Sequence, residues 1–224
     1  MIRCGKIERG KKHPFIPGFE KILAYSNGQI KWRPLSPFNI GPFVIEDPLS
    51  FHNLFPNGIH PGWTWDNGRQ IINCLSFERY WQAGKIFKVD IDDNGNLKPE
   101  FFYRRVDVLT NPNREKKDIR HPLPKAKYGV PVSSFYNGEI ISYIPSRKKY
   151  YCPSYVYFAS QTPQYQELLR KHQNGENLLI SGPDGLDVNI EDNIMRIIIN
   201  DPKYIFGHEL VLCCMLKGIY PWID

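Results

Sequence analysis

Residues 76–88 have the sequence SFERYWQAGKIFK and carry the clearest helical pattern in the chain. The Ser76 side chain can accept hydrogen bonds from the free amide groups at a helix start, and apolar residues recur from Phe77 at helical spacing. This pattern predicts a first main helix over about Ser76 to Lys88. Phe77 and Trp81 are expected on its buried side.

A second stripe of the same helix is polar. Glu78, Gln82 and Lys85 are spaced by four and three residues, so their side chains are expected on one face. Glu78 takes the second helical position, where the helix dipole favours an ionised carboxylate. A solvent-exposed helix face has the same pattern, so these three residues alone leave a surface role and a catalytic role both open.

After this helix the sequence favours strands and turns. Residues 87–108 and residues 128–144 each place apolar segments around an Asn-Gly pair, which predicts two β-hairpins. Thr162 followed by Pro163 then predicts the start of a second main helix, which extends to about Gln173.

The remaining pattern completes an α+β fold. Residues 177–180 predict a short strand, and the apolar residues of 209–217 predict a buried helix. The expected architecture is a single domain in which helices pack with short strands, and in which the hairpins are inserted between the first and second main helices.

The composition is typical of a soluble globular protein. The chain has 224 residues, of which 42% are hydrophobic. Its longest uncharged apolar run, residues 210–216, is far shorter than the roughly 20 residues that cross a bilayer, so no membrane association is expected. The five cysteines form an odd set with an adjacent pair, which favours a reducing, cytoplasmic setting over a disulfide framework.

Charge leaves a second class of function open. The formal net charge of +6 fits a nucleotide ligand as well as an anionic polymer. Short basic clusters occur at residues 9–12, 114–117 and 147–149. The alternative to an enzyme is therefore a non-enzymatic basic module that binds nucleic acid or an acidic partner through these loops.

The local motifs do not favour a metal or an organic cofactor. Residues 90–95, DIDDNG, resemble the start of a calcium loop, but Phe101 stands where the closing carboxylate belongs, so a hairpin turn is expected there. The cysteines and histidines lack zinc-site spacing, and no phosphate-binding glycine loop is present.

Three blocks of sequence, in this order along the chain, resemble the NADAR family. Members of that family typically show Leu-Ser-Asn-Phe, then Glu-His-Tyr-x-Gln-Ala-x-Lys, then a helix with an acidic loop and a closing Leu-Gly motif. The corresponding segments are LSPF at 35–38 with GPFVI at 41–45 and SFERYWQAGK at 76–85, TPQYQELL at 162–169 with NLLISGPD at 177–184, and FG at 206–207. Pro37 and Arg79 depart from the usual Asn and His, which leaves the identity of the substrate open.

The resemblance implies one α+β domain over residues 1–224, with 89–150 as an insertion, and a hydrolase that cleaves N-glycosidic bonds. Its substrate would be a ribosylated nucleotide or an ADP-ribose-type compound, and no cofactor would be needed. Glu78 would stabilise positive charge on the ribose, and Asp184 would supply or relay a proton to the departing base. The substrate-binding residues implied are Ser36, Phe38, Arg79, Tyr80, Trp81, Gln82, Lys85 and Gly207.

Overall fold

The structure is a computed structural model that describes residues 1–8, 17, 22–24, 30–47, 63–66 and 69–223. It confirms the α+β class. The chain divides into two compact units, one formed by Met1–Ile40 with Arg147–Asp224 and the other by Gly41–Ser146. The single domain over 1–224, with 89–150 as an insertion, stays a prediction.

Strands occur in both units. In chain order they are β1 (Ile2–Lys6), β2 (Ile22–Ala24), β3 (Phe43–Asp47), β4 (Trp63–Asp66), β5 (Arg69–Cys74), β6 (Lys85–Ile86), β7 (Ser133–Tyr136), β8 (Glu139–Ile141), β9 (Leu178–Gly182) and β10 (Val188–Asn189).

The helices are mostly short. In chain order they are α1 (Phe77–Ala83), α2 (Pro99–Thr110), α3 (Lys116–Arg120), α4 (Lys125–Tyr128), α5 (Tyr143–Ser146), α6 (Cys152–Ser160), α7 (Pro163–Gln173), α8 (Asp192–Asn200) and α9 (His208–Lys217). Short 3-10 helices cover Ile30–Leu35 and Lys88–Asp90, and a π-helical turn covers Arg147–Tyr151. Among the described residues, no helix has both the length and the apolar content needed to cross a membrane.

The first unit is built on a sheet of order β10-β1-β9-β2. Strands β1 and β2 run parallel to β9, and β10 runs antiparallel to β1. Every residue of β9 is buried, which is typical of a strand inside a parallel sheet. Helix α9 packs against β1 and β9, and its apolar residues from Leu210 to Leu216 are all buried.

The second unit contains two antiparallel sheets of three strands, β3-β5-β4 and β6-β7-β8. Helix α1 packs against α2, α3 and β5. One hydrophobic core joins these elements, made of Ile72, Cys74, Ala83, Ile86, Phe101, Phe102, Val106, Val108, Leu109 and Phe135.

The first predicted helix exists but is shorter than its sequence pattern indicated. Its cap is as expected, because the Ser76 hydroxyl accepts from the backbone amide of Arg79. The helix ends at Ala83 rather than near Lys88, because Lys85 pairs with Ser134 in the β6–β7 ladder. Phe77 is buried as predicted, whereas Trp81 is only partly buried.

One of the two predicted hairpins is confirmed. Strands β7 and β8 join at Asn137 and Gly138, whose φ angles of 49° and 79° suit the tight turn that an Asn-Gly pair favours. The hairpin predicted over 87–108 is wrong apart from a single bridge between Ile91 and Leu97. Pro99 instead starts helix α2, because the apolar residues that follow it have helical spacing.

The later elements follow the sequence closely. Helix α7 covers Pro163–Gln173, and the Thr162 hydroxyl accepts from the amide of Tyr165 at 3.2 Å. The predicted strand at 177–180 is β9, and the predicted buried helix at 209–217 is α9. The basic cluster at 9–12 lies outside the described residues.

Candidate functional site

The carboxylate of Glu78 lies in the first turn of α1 and is largely shielded from solvent. Its side chain is 12% exposed. The Nε2 atom of Gln82 donates to Glu78 Oε1 at 3.0 Å, and the Nε atom of Arg120 lies 3.8 Å from the same oxygen. The Gln82 amide and the Arg120 guanidinium both interact more favourably with an ionised carboxylate, whereas burial of the side chain opposes its charge.

The polar stripe of α1 is not a solvated surface. Gln82 is 8% exposed, and no described residue donates a hydrogen bond to its buried Oε1 atom. An ordinary surface helix exposes such residues, so the burial of Gln82 and the shielding of Glu78 set them apart from that pattern.

Lys85 lies near Glu78 without belonging to its helix. The prediction that both share a helix face is wrong for Lys85, because α1 ends at Ala83 and Lys85 begins β6. Burial lowers the pKa of the Lys85 amine, and the negative charge of Glu78 partly offsets this effect. The two charges therefore still interact.

Aromatic rings pack at the end of α1 beside the carboxylate. The Tyr136 ring stacks on Trp81 with centroids 5.4 Å apart and an interplanar angle of 7°, and it lies 5.4 Å from Tyr80. Burial raises the pKa of Tyr136 well above its ordinary value, so its hydroxyl stays protonated. Stacking of a substrate base on Tyr80 or Trp81 stays a prediction.

Sequence reasoning did not single out Tyr136. Its position directly before the Asn137-Gly138 turn was the available signal, because a hairpin places that residue on a fixed face of the sheet. The Tyr136 ring leaves no room for a side chain at position 84, since a Cβ atom at Gly84 would lie 2.5 Å from Cζ of that ring.

Arg79 makes hydrogen bonds within the second unit. Its side chain is buried, and its guanidinium donates to the carbonyl oxygen of Val108 at 2.8 Å and to that of Arg114 at 3.5 Å. Burial lowers the pKa of Arg79. These contacts favour a structural role, and they do not support the predicted role in substrate binding.

The other predicted site residues fall in the first unit. Asp184 is exposed in the turn after β9, and Gly207 precedes α9. A Cβ atom at Gly207 would lie 3.1 Å from Cβ of Asp184, so these two residues lie together. Ser36 and Phe38 are half-buried after the 3-10 helix Ile30–Leu35. Glu78, Gln82 and Lys85 are neighbours in the second unit.

A buried carboxylate next to Gly207 was missed. Glu209 has no exposed surface, and its Oε2 lies 3.2 Å from Nδ1 of His208. A Cβ atom at Gly182 would lie 2.0 Å from Glu209 Oε1, so the side chain needs a glycine at that position. Gly182 and Gly207 both lie against the Glu209 carboxylate. Their presence in the sequence was a signal, but only the fold shows that they share this neighbour.

Some basic side chains of the loops bind other residues of the same chain. Arg114 pairs with Asp107 and donates to the carbonyl of Asp118 at 3.0 Å. Arg147 is 1% exposed and donates to backbone carbonyls, including that of Tyr204 at 2.8 Å. Lysines at 116, 117 and 149 are exposed. Arg114 and Arg147 therefore stabilise the fold.

In the segment that resembles a calcium loop, the carboxylates of Asp90 and Asp92 already accept hydrogen bonds from other residues. Both carboxylate oxygens of Asp90 accept from Arg104 at 2.6 Å, and Oδ2 also accepts from the amide of Phe87 at 2.7 Å. Asp92 accepts from the amides of Asn94 and Asn96, as in a turn. In the part of the chain that the structure describes, no group of three or more His, Cys, Asp or Glu residues could hold a metal ion.

Comparison of the chain with protein-family models, curated proteins and solved structures finds no match. The resemblance to the NADAR family therefore depends on the three sequence blocks alone.

Proposed function

We propose that the chain is an N-glycosidase that hydrolyses a ribosylated nucleotide or an ADP-ribose-type substrate. The observation that carries this proposal is the carboxylate of Glu78, which is 12% exposed and is hydrogen-bonded by a buried amide. A carboxylate that is ionised, shielded and fixed in orientation is the group that this chemistry requires.

The reaction places positive charge on the ribose. Breaking the bond between the base and C1 gives that carbon and the ring oxygen oxocarbenium character, and a fixed carboxylate beside them lowers the energy of this state. The base takes up a proton as this bond breaks, and water attacks C1 and gives up a proton, so one water molecule supplies the new hydroxyl group and balances the proton on the departing base. Because Glu78 is shielded from solvent, its charge acts more strongly than it would in bulk water.

Lys85 adds a cation beside this carboxylate. The proposed substrates carry phosphate groups, which an ammonium group can bind as a point charge. The contribution of Asp184 as a proton donor or relay rests on the family resemblance alone. A reducing intracellular setting is part of the proposal, and the buried free thiols of all five cysteines support it.

The test is release of free base or ribose phosphate from a panel of ribosylated nucleotides. We expect turnover by the parent protein and a loss of about a hundredfold or more in Glu78→Gln. Glu100→Gln is a matched control, because Glu100 is an exposed carboxylate at the same position of α2. It should keep full activity.

Two outcomes would contradict the proposal. A folded Glu78→Gln protein with full activity would remove Glu78 from the mechanism. A parent protein without turnover on any substrate of the panel, but with salt-sensitive binding to nucleic acid, would favour the basic binding module.

A further inference from the structure

The amide of Gln82 has one orientation that suits its surroundings. Its Nε2 atom donates to Glu78 Oε1 at 3.0 Å across one turn of α1. The reversed amide would place Oε1 against a carboxylate oxygen, where two acceptors repel each other. The observed orientation is therefore the one in which the amide donates to the Glu78 carboxylate.

This orientation leaves the other end of the amide unsatisfied. Gln82 Oε1 is sealed from solvent and accepts no hydrogen bond from any described residue. A buried acceptor without a donor lowers stability, so a residue with this arrangement calls for an explanation. Because Oε1 has no accessible surface in this structure, direct contact with a substrate does not explain this arrangement.

We propose that Gln82 is a positioning residue that fixes the carboxylate of Glu78 and favours its ionised form. This inference rests on the proposed N-glycosidase function, and it replaces the substrate contact that the family resemblance implied for Gln82. Other charged or titratable groups face Glu78 from neighbouring elements, namely Lys85 from β6, Arg120 from α3 and Tyr136 from β7.

The first test is Gln82→Met, which keeps the length of the side chain and removes the donor. We expect kcat to fall about tenfold or more, whereas KM should change by less than about twofold. The acidic limb of the pH profile of kcat/KM should move to higher pH, because the carboxylate loses a hydrogen bond to its charged form. In a Glu78→Gln background, Gln82→Met should have no further effect on kcat.

The second test needs no substrate. Carboxyl-carbon NMR titration of Glu78 should show a higher pKa in Gln82→Met than in the parent. Gln173→Met, which changes an exposed glutamine of α7, should leave both this titration and the kinetics unchanged. If Gln82→Met does not fold, Gln82→Asn repeats both tests, because it keeps an amide that is too short to reach Glu78.

The outcomes separate the two proposals. An active parent together with an unchanged Glu78 titration in the variant would overturn the positioning role alone. A raised KM with an unchanged kcat would return Gln82 to substrate binding and would also overturn it. A parent that cleaves none of the substrates would overturn the proposed function, and the positioning role of Gln82 in that reaction with it.

Discussion

The hydroxyl of Tyr136 donates to the backbone carbonyl oxygen of Trp81 at 2.7 Å, although 55 residues separate the two along the chain. Their rings also stack with centroids 5.4 Å apart. Tyr136 is therefore a direct link between the β7–β8 hairpin and the end of the helix that carries Glu78. The stability of this helix depends on a residue far from it in sequence.

Removal of this hydroxyl should weaken the fold. Tyr136→Phe leaves the Trp81 carbonyl without this donor, so we expect the free energy of unfolding to fall by about 1 to 2 kcal/mol. Urea denaturation measures the difference. Tyr157→Phe is the control, because Tyr157 is 64% exposed and its change should be close to zero. Equal effects of the two substitutions would contradict the role of the hydrogen bond.

Gly84 should not tolerate a side chain. The Cβ atom of Gly84→Ala would lie 2.5 Å from the Tyr136 ring, and we expect this overpacking to cost about 1 to 3 kcal/mol of stability. Combination with Tyr136→Leu provides the check, because a smaller neighbour leaves room for the methyl group. The double variant should lose less stability than the sum of the two single variants, and strict additivity would argue against the contact.

Lys85 should make stability depend on alkaline pH. Burial lowers its pKa in the folded protein, so the unfolded chain binds more protons there at alkaline pH. Stability therefore rises as the pH increases through the folded-state pKa toward the unfolded value of about 10.4. Lys85→Met lacks this rise, so the parent should gain stability over the variant between about pH 7 and about pH 10.

Denaturation at both pH values measures this gain. Lys88→Met controls for the loss of a positive charge, because Lys88 is exposed. If Lys85→Met and Lys88→Met show the same pH dependence, burial of Lys85 has no effect on stability.

Arg147 should contribute strongly to stability. Its guanidinium donates to the carbonyl oxygens of Ile198, Ile199, Asp201 and Tyr204. We expect Arg147→Met to lose about 3 kcal/mol or more, because four carbonyl oxygens, two of them in buried contacts, lose the hydrogen bonds that the guanidinium donates. Lys149→Met removes an exposed cation from the same cluster and should change stability little. A stable Arg147→Met protein with weakened binding to nucleic acid would instead support a basic binding surface.

Calcium should leave the protein unchanged. Arg104 and the Phe87 amide already occupy the carboxylate of Asp90, so a calcium ion would have to displace a buried ion pair. Thermal unfolding should give the same melting temperature with millimolar calcium as with a chelator. A rise in melting temperature that depends on calcium would show that residues 90–95 bind the ion.

The sequence predicted those elements whose signals are local. The Ser76 and Thr162 caps, the Asn137-Gly138 turn and the apolar α9 each depend on neighbouring residues, and each is present. Helix α2 was mistaken for a strand because the preceding Asn94-Gly95 turn favours a hairpin. These residues form a helix because the apolar residues after Pro99 have helical spacing, which places them in the core of the second unit.

The candidate site was only partly predictable for a related reason. The spacing of Glu78 and Gln82 correctly placed them on one face, because both lie within α1. It could not show that this face is shielded, and it could not show that Arg120 and Tyr136, which are distant in sequence, interact with Glu78 there. The burial of Arg79 and Glu209 likewise depends on partners that no short motif contains.

The pairing of β1 with β9 has a consequence for biosynthesis. Ile2 lies opposite Leu178, so β1 cannot pair with β9 until residues 178–182 have left the ribosome. Residues 41–146 emerge before that point and contain their own core. Residues 41–146 can therefore fold before β1 pairs with β9. During this interval the apolar residues of β1 lack their β9 partners and are a binding site for a chaperone.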